Sequence, residues 1–285
     1  MPTQGKLENV ASEVAESLQL NEVKFVKAGA FKETYRTTNI DNDYVALKIL
    51  DPLKCNIART EREIEAMSKC NCDQIGGLID FGEFYSKNQS YIYYLEEFFD
   101  GGSLADKIQN GGLSTNETIN LGISMAQAIK YLKSQELVHR DVKPENIMYK
   151  QSSDCPVLVD FGLVRDLSQS SLTQTWIPQG PGTPVYSAPE QLNNEKQLID
   201  WRTDQFSLGI VLSICLTGQH PFLDNGMTVG DAINAVANRN RCATCFCTKA
   251  KELKCETVLK MLEPWPVKRF NCPDSLIKAL EKIGD

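Results

Sequence analysis

The sequence predicts a two-part α+β protein: a small antiparallel sheet unit carrying one main helix, followed by a larger, mostly helical unit. Three observations predict it. Between Val23 and Phe99 short runs alternate apolar and polar residues at period two, most clearly Tyr44-Val-Ala-Leu-Lys-Ile-Leu50, with polar turns between them. After Gly101-Gly102 the apolar residues change to helical spacing. The apolar stretch from Phe206 to Gly218 reads as a buried helix, because it falls short of the about 20 residues that a membrane span needs. The expected boundaries are a leading helix in 1–21, the sheet unit in 22–99 and the helical unit in 100–285.

Taken in order, Leu7, Val10, Ala11, Val14 and Leu18 form one apolar stripe, which predicts a helix over 6–20. It is expected to pack on the sheet unit, with a partner-binding element as the alternative. In the strand run that follows, Ala46, Lys48 and Leu50 share a face. Charged helix formers predict a helix over Arg59–Ser68. Two more strands are expected at Gly77–Phe84 and Tyr91–Phe98, broken by the turn-like Ser86-Lys-Asn-Gln-Ser90. Ser114 with Glu117 three residues on is a capping-box signature ahead of Ile119, Ile123, Ala126, Ile129 and Leu132. Leu163–Pro184, rich in Ser, Thr, Gln, Gly and Pro, has no periodicity and is too long for an idle connection. Helical patterns resume from Thr203.

Hydrophobic residues at 42% and charged residues at 24% exclude collagen-like, disordered and coiled-coil classes. A net charge of −7 argues against a broad nucleic-acid or anionic-membrane surface and leaves room for a local basic pocket. The opening residues lack an apolar stretch behind a basic end, so no secretory leader and a cytoplasmic location are expected. Ten cysteines in a chain of this length point to free thiols or a metal site and not to a disulfide scaffold. Cys242, Cys245 and Cys247, with Cys255 beyond, invite a zinc reading, the alternative being free, partly buried thiols.

Four strings carry chemistry. His139-Arg-Asp-Val-Lys-Pro-Glu-Asn146 gathers a carboxylate, an ammonium and an amide in one short loop. There Asp141 can accept a hydroxyl proton, Lys143 can neutralise a transferring phosphoryl group, and Asn146 can hold a cation, with Asp160-Phe-Gly162 completing a magnesium site. Phosphoryl transfer is mostly positioning and charge stabilisation, so this set is chemically coherent. Upstream, Lys48 on a strand and Glu63 on the next helix could pair so that the ammonium reaches the α and β phosphates. Downstream, Gly182-Thr-Pro-Val-Tyr-Ser-Ala-Pro-Glu190 closes the long loop, and Asp204 opens the apolar helix.

In this order the strings resemble the catalytic domain of eukaryotic-type (Hanks-type) serine/threonine protein kinases over roughly residues 22–282. The resemblance implies a bilobal protein kinase-like fold with ATP and Mg²⁺ in the cleft, transferring the γ-phosphoryl group to Ser or Thr hydroxyls of a protein substrate. It implies Asp141 and Lys143 as catalytic residues, Lys48 and Glu63 as the nucleotide ion pair, and Asn146 and Asp160 as the magnesium ligands. Glu97 and Phe99 would bond adenine through their backbone, and Gly29, Ala46 and Met148 complete the nucleotide set. Glu190 would pair with Arg269, and Asp204 would brace the catalytic loop. No nucleic-acid partner and no membrane span are implied.

The chain departs from the family's pattern twice. Its phosphate-covering loop keeps only Gly29, with Lys27 and Lys32 where two further glycines would fall and Thr34 where valine is usual. Glycines there let backbone N–H groups approach phosphate, so weaker nucleotide binding is expected, with the two lysines as substitute charge. Glu96 falls at the position guarding the back of the nucleotide pocket, unless the register shifts by one to Glu97. A buried carboxylate there needs a partner, Lys48 or a polar neighbour. The damaged loop leaves a pseudokinase-like nucleotide-binding scaffold as the rival reading. A small-molecule phosphotransferase is disfavoured by the Ala188-Pro-Glu190 string. In the resembled family an arginine at the place of Arg140 goes with a loop ordered by its own phosphate, so autophosphorylation of the 163–182 loop is expected. Ser168, Ser170, Ser171, Thr173 and Thr175 are its available acceptors, the alternative being that these hydroxyls merely solvate the loop. The resemblance makes Thr183 a structural contact to Asp141.

Overall fold

The computed structural model describes residues 5–29, 31–54, 57–151, 153–161, 164–167, 184–224 and 226–283. The chain divides into two compact units, one of residues 1–71 and 76–100, the other of residues 72–75 and 101–285. Among the described residues no helix is long and apolar enough to cross a membrane.

The first unit contains α1 (Glu8–Ser17), β1 (Asn21–Ala28), β2 (Lys32–Thr38), β3 (Tyr44–Leu50), α2 (Ile57–Ser68), β4 (Leu78–Ser86) and β5 (Gln89–Glu97). Its five strands pair antiparallel in the order β1-β2-β3-β5-β4. Period-two alternation separates two faces. On one, Tyr35, Leu47, Ile49, Tyr93 and Leu95 form a core with Val10, Ala11, Val14 and Ala15 of α1. The helix belongs to the sheet because burying each valine contributes about 1.5–3 kcal/mol.

A carboxylate ties α1 down. Glu33 on β2 accepts the backbone N–H groups of Lys6 (3.1 Å) and Leu7 (3.0 Å) and the Tyr35 hydroxyl (2.6 Å). Negative charge at a helix start is favourable, since the first N–H groups lack intrahelical partners. The approach is so close that a Cβ on Gly5 would lie 2.3 Å from the Tyr35 hydroxyl.

The β4–β5 hairpin is tighter than the sequence suggests, with Ser86 already paired to Gln89. Lys87 and Asn88 both hold left-handed backbone, at φ 50° and 64°, which is what a two-residue hairpin turn requires. A lysine at such a position gives no composition signal, so the strands run further than expected.

The second unit is mostly helical. In order it holds α3 (Leu104–Gln109), α4 (Thr115–Ser134), β6 (Leu137–Val138), β7 (Ile147–Lys150), β8 (Ser153–Leu158), β9 (Arg165–Asp166), α5 (Pro189–Leu192), α6 (Trp201–Thr217), α7 (Val229–Ala237), α8 (Thr244–Glu252), α9 (Glu256–Met261) and α10 (Pro273–Leu280). Among its described residues there are two short two-stranded sheets, β6 with β9 and β7 with β8. The capping box is formed: Ser114 Oγ accepts the Glu117 N–H (3.3 Å), and Glu117 accepts the Ser114 N–H (2.7 Å). α4 packs against α6 and α10. α6 is buried along nearly its whole length, starts at an Asp200 cap and closes at Gly218 in left-handed backbone, φ 71°. An antiparallel sheet unit and a helical unit make the α+β architecture expected above.

Candidate active site

In the second unit the 139–146 string forms one turn between β6 and β7. Its geometry is set from α6. Asp204, in the first turn of that helix and 1% exposed, accepts the N–H groups of His139 (2.8 Å) and Arg140 (2.7 Å). Gln191 Nε2 donates to the Arg140 carbonyl at 2.9 Å. These bonds hold Arg140 in left-handed backbone, φ 69°, a conformation rare for a side chain of this kind. His139 is fully buried against the Phe161 ring, and its Nδ1 accepts the Asp141 N–H at 3.3 Å. Burial lowers its pKa to about 4, so the imidazole stays neutral and acts as a spacer.

Asp141 emerges from this turn with its carboxylate bound on two sides. Lys143 Nζ lies 2.7 Å from Oδ2, and Asn146 Nδ2 donates to the same oxygen (2.9 Å) and to the Asp141 carbonyl (2.9 Å). Burial raises the Asp141 pKa, opposed by the Lys143 charge. A raised pKa suits a group that must take up a proton.

The β7–β8 hairpin brings Asn146 toward Asp160. Ile147 pairs with Leu158, and the Val159 N–H donates to the Asn146 carbonyl (2.9 Å), so both residues stand at the same end of the hairpin. Asp160 also holds left-handed backbone, φ 71°. Asn146 uses its Nδ2 on Asp141, which leaves its Oδ1 as the donor toward a cation. An amide oxygen with one carboxylate is a hard-oxygen set that fits Mg²⁺, an ion that fills its other positions with phosphate and water. Met148 is half-buried on β7 and bridges to Ser103.

Glu190 and Arg269 form the expected pair, both side chains fully buried. The contacts are Nη1–Oε1 at 2.7 Å and Nη2–Oε2 at 3.0 Å, with Thr203 Oγ1 donating to Oε1 at 2.9 Å.

In the first unit, Thr34, Ala46, Lys48, Tyr94 and Glu96 are buried on the sheet face opposite α1. The register pairs Ala46 with Glu96 and Lys48 with Tyr94, so Lys48 and Glu96 are diagonal neighbours on one face. Their side chains form an ion pair. Glu96 is therefore the buried carboxylate beside Lys48, whereas Glu97 is half-buried and paired with Val45. Phe99 is buried at 5% exposure. Gly29 closes the β1–β2 turn, its N–H donating to the Lys32 carbonyl at 2.8 Å.

Glu63 sits with Thr60, Ile64 and Met67 on the buried stripe of α2. It is not on a solvated face, and its partner is not Lys48. Lys32 Nζ lies 2.6 Å from Glu63 Oε1, and the Tyr94 hydroxyl donates to the same oxygen at 3.0 Å. The expected Lys48–Glu63 pair is thus replaced by two pairs, Lys48–Glu96 and Lys32–Glu63. The reason is that Glu96 supplies a carboxylate within the sheet, where Lys48 meets it before reaching α2. Both ammonium groups also face the Tyr94 ring, at 5.2 Å for Lys32 and 5.5 Å for Lys48. Sequence reasoning missed Tyr94; its place two residues before Glu96 on a period-two strand was the available signal.

The zinc option is not supported. Cys245 and Cys247 are two apart on α8, which points them to different sides of the helix. Cys245 contacts Asp224 at 2.9 Å, and Cys255 is fully buried against the Leu253 carbonyl at 3.1 Å. Burial pushes the Cys242 and Cys255 thiols up, away from the thiolate form that a metal needs. Among the described residues no group of three or more His, Cys, Asp or Glu could hold a metal ion. Gly162, Gly182, Thr183 and the acceptors Ser168 to Thr175 lie outside the described residues.

The protein kinase domain model matches residues 20–278. A protein named as a probable serine/threonine-protein kinase in Streptomyces coelicolor is 31% identical over 229 residues, covering 80% of this chain and 33% of that protein. One named probable serine/threonine-protein kinase PknB in Lactococcus lactis is 34% identical over 207 residues, 70% of this chain and 32% of that protein. CBL-interacting serine/threonine-protein kinase 12 of Arabidopsis thaliana is 30% identical over 270 residues, 92% of this chain and 52% of its own length. The chain spans about a third of the length of the two bacterial relatives and about half of the plant one.

Proposed function

The chain belongs to the protein kinase domain family, and from that premise we propose that it transfers the γ-phosphoryl group of ATP to Ser or Thr hydroxyls of a protein substrate. The observation that carries the reading is Asp141, held by Lys143 and Asn146 in a turn fixed by Asp204. The substrate oxygen bonds to the γ-phosphorus as the bond to the β–γ bridging oxygen breaks, and the hydroxyl proton passes to Asp141. Lys143, already beside Oδ2, offsets the negative charge of the transferring group. Asn146 and Asp160 would hold Mg²⁺, which supplies charge neutralisation on the phosphates. Around the nucleotide we place Lys48, Glu63, Gly29, Ala46, Glu97, Phe99 and Met148. Lys143 and the serine/threonine kinases among the relatives favour Ser and Thr over Tyr as acceptors.

One observation favours the rival scaffold reading: Lys48 is engaged by Glu96 and not by the carboxylate of α2. Mapping phosphosites by mass spectrometry, after incubation with ATP, Mg²⁺ and a generic basic protein, separates the two. The expected result is phosphate on Ser and Thr of the added protein and on at least one residue between Ser168 and Thr175. Phosphotyrosine alone would contradict the acceptor class, and ATP binding without any phosphosite would establish the scaffold.

A further inference from the structure

We propose that Lys32, oriented by Glu63 and Tyr94, is the lysine that contacts the nucleotide phosphates, and that Lys48–Glu96 is a fixed pair within the sheet. The inference rests on the nucleotide-binding reading above and assigns its phosphate contact to a residue on a different strand. Three observations carry it.

The first is the pairing itself. The α2 carboxylate bonds Lys32 at 2.6 Å, whereas Lys48 is taken by Glu96. The second is what each lysine leaves behind when it turns toward a phosphate. Among the described residues Glu96 Oε1 is buried without a hydrogen-bond partner, so moving Lys48 away would strand a buried carboxylate, an expensive outcome. Glu63 would keep the Tyr94 hydroxyl at 3.0 Å if Lys32 moved. Lys32 is also the more accessible cation, its side chain 19% exposed against 9% for Lys48.

The third observation is position. Lys32 starts β2 directly after the turn closed by Gly29, at the place where a phosphate-covering loop would have another glycine. An ammonium there restores the attraction that backbone N–H groups otherwise provide.

Calorimetric titration of the full chain with ATP·Mg²⁺ and, separately, with adenosine isolates the phosphate-dependent part of binding. Lys32→Met is expected to weaken ATP by about tenfold to a hundredfold, the worth of one charge-assisted hydrogen bond, while adenosine binds as before. Lys32→Arg should recover most of the loss. Lys24→Met, removing an exposed charge from the same sheet, should bind both ligands like wild type. Should Lys32→Met fail to fold, Lys32→Gln keeps a hydrogen-bond donor toward Glu63 without the charge and is expected to show the same selective loss. ATP affinity of Lys32→Met and Lys32→Gln within twofold of Lys24→Met would overturn the inference. So would an equal loss for ATP and adenosine, which marks a purely structural role. A wild-type chain that binds neither ligand would overturn the nucleotide reading itself, and this inference with it.

Discussion

Replacing Asp141 by Asn is expected to lower turnover by about 10²–10⁴-fold, the range for removing a positioned general base. The change keeps the side chain's shape and removes the atom that accepts the proton. Its expected signature is a fall in kcat with ATP affinity nearly intact, because Asp141 faces the substrate hydroxyl and not the nucleotide in the proposed reaction. The turn should stay folded, since its anchors are the two backbone N–H groups held by Asp204 and the Arg140 carbonyl held by Gln191. Steady-state phosphoryl transfer together with ATP titration checks both halves. Turnover equal to wild type would remove Asp141 from the mechanism.

Arg269→Ala is the second large effect, on stability. Arg269 and Glu190 are both fully buried, and Arg269 additionally donates to the carbonyls of Glu263 (2.8 Å), Arg202 (2.8 Å) and Pro264 (3.2 Å). Its guanidinium stacks over Phe206, 4.7 Å from the ring centre. Among the described residues truncation leaves the Glu190 carboxylate only the Thr203 hydroxyl, and breaking such a buried pair costs roughly 3–5 kcal/mol. For a unit of this size each kcal/mol is worth about 2–4 °C, so the midpoint of thermal unfolding should fall by roughly 6–20 °C. A midpoint equal to wild type would mean that the pair does not hold the helical unit together.

How far the sequence could be read follows from where each interaction sits in the chain. The Asp141 cluster was legible because its members share one short string, and a local turn fixes their geometry. α1 and α4 were legible through an apolar stripe and a capping box, both short-range signals. The Lys48 partner was legible only as a choice, since both Glu63 and Glu96 were named for it, and the choice depends on register between β3 and β5, strands distant in the chain. Placing Glu96 diagonal to Lys48 required knowing that Ala46 faces Glu96. The burial of Glu63 had the same cause: α2 is charged in composition, yet Thr60, Glu63, Ile64 and Met67 form its inward stripe. The cysteine spacing misled for the opposite reason. Proximity along the chain suggested a shared ion, and helical geometry on α8 turned the thiols apart.

The Asp141 turn is expected to perform phosphoryl transfer. Incubating the purified chain with γ-labelled ATP, Mg²⁺ and a generic basic protein, and following label in the protein over time, measures that directly. Time-dependent transfer of label that Asp141→Asn loses is the result predicted. Saturable ATP binding with no label transferred, or transfer that Asp141→Asn leaves untouched, would contradict it.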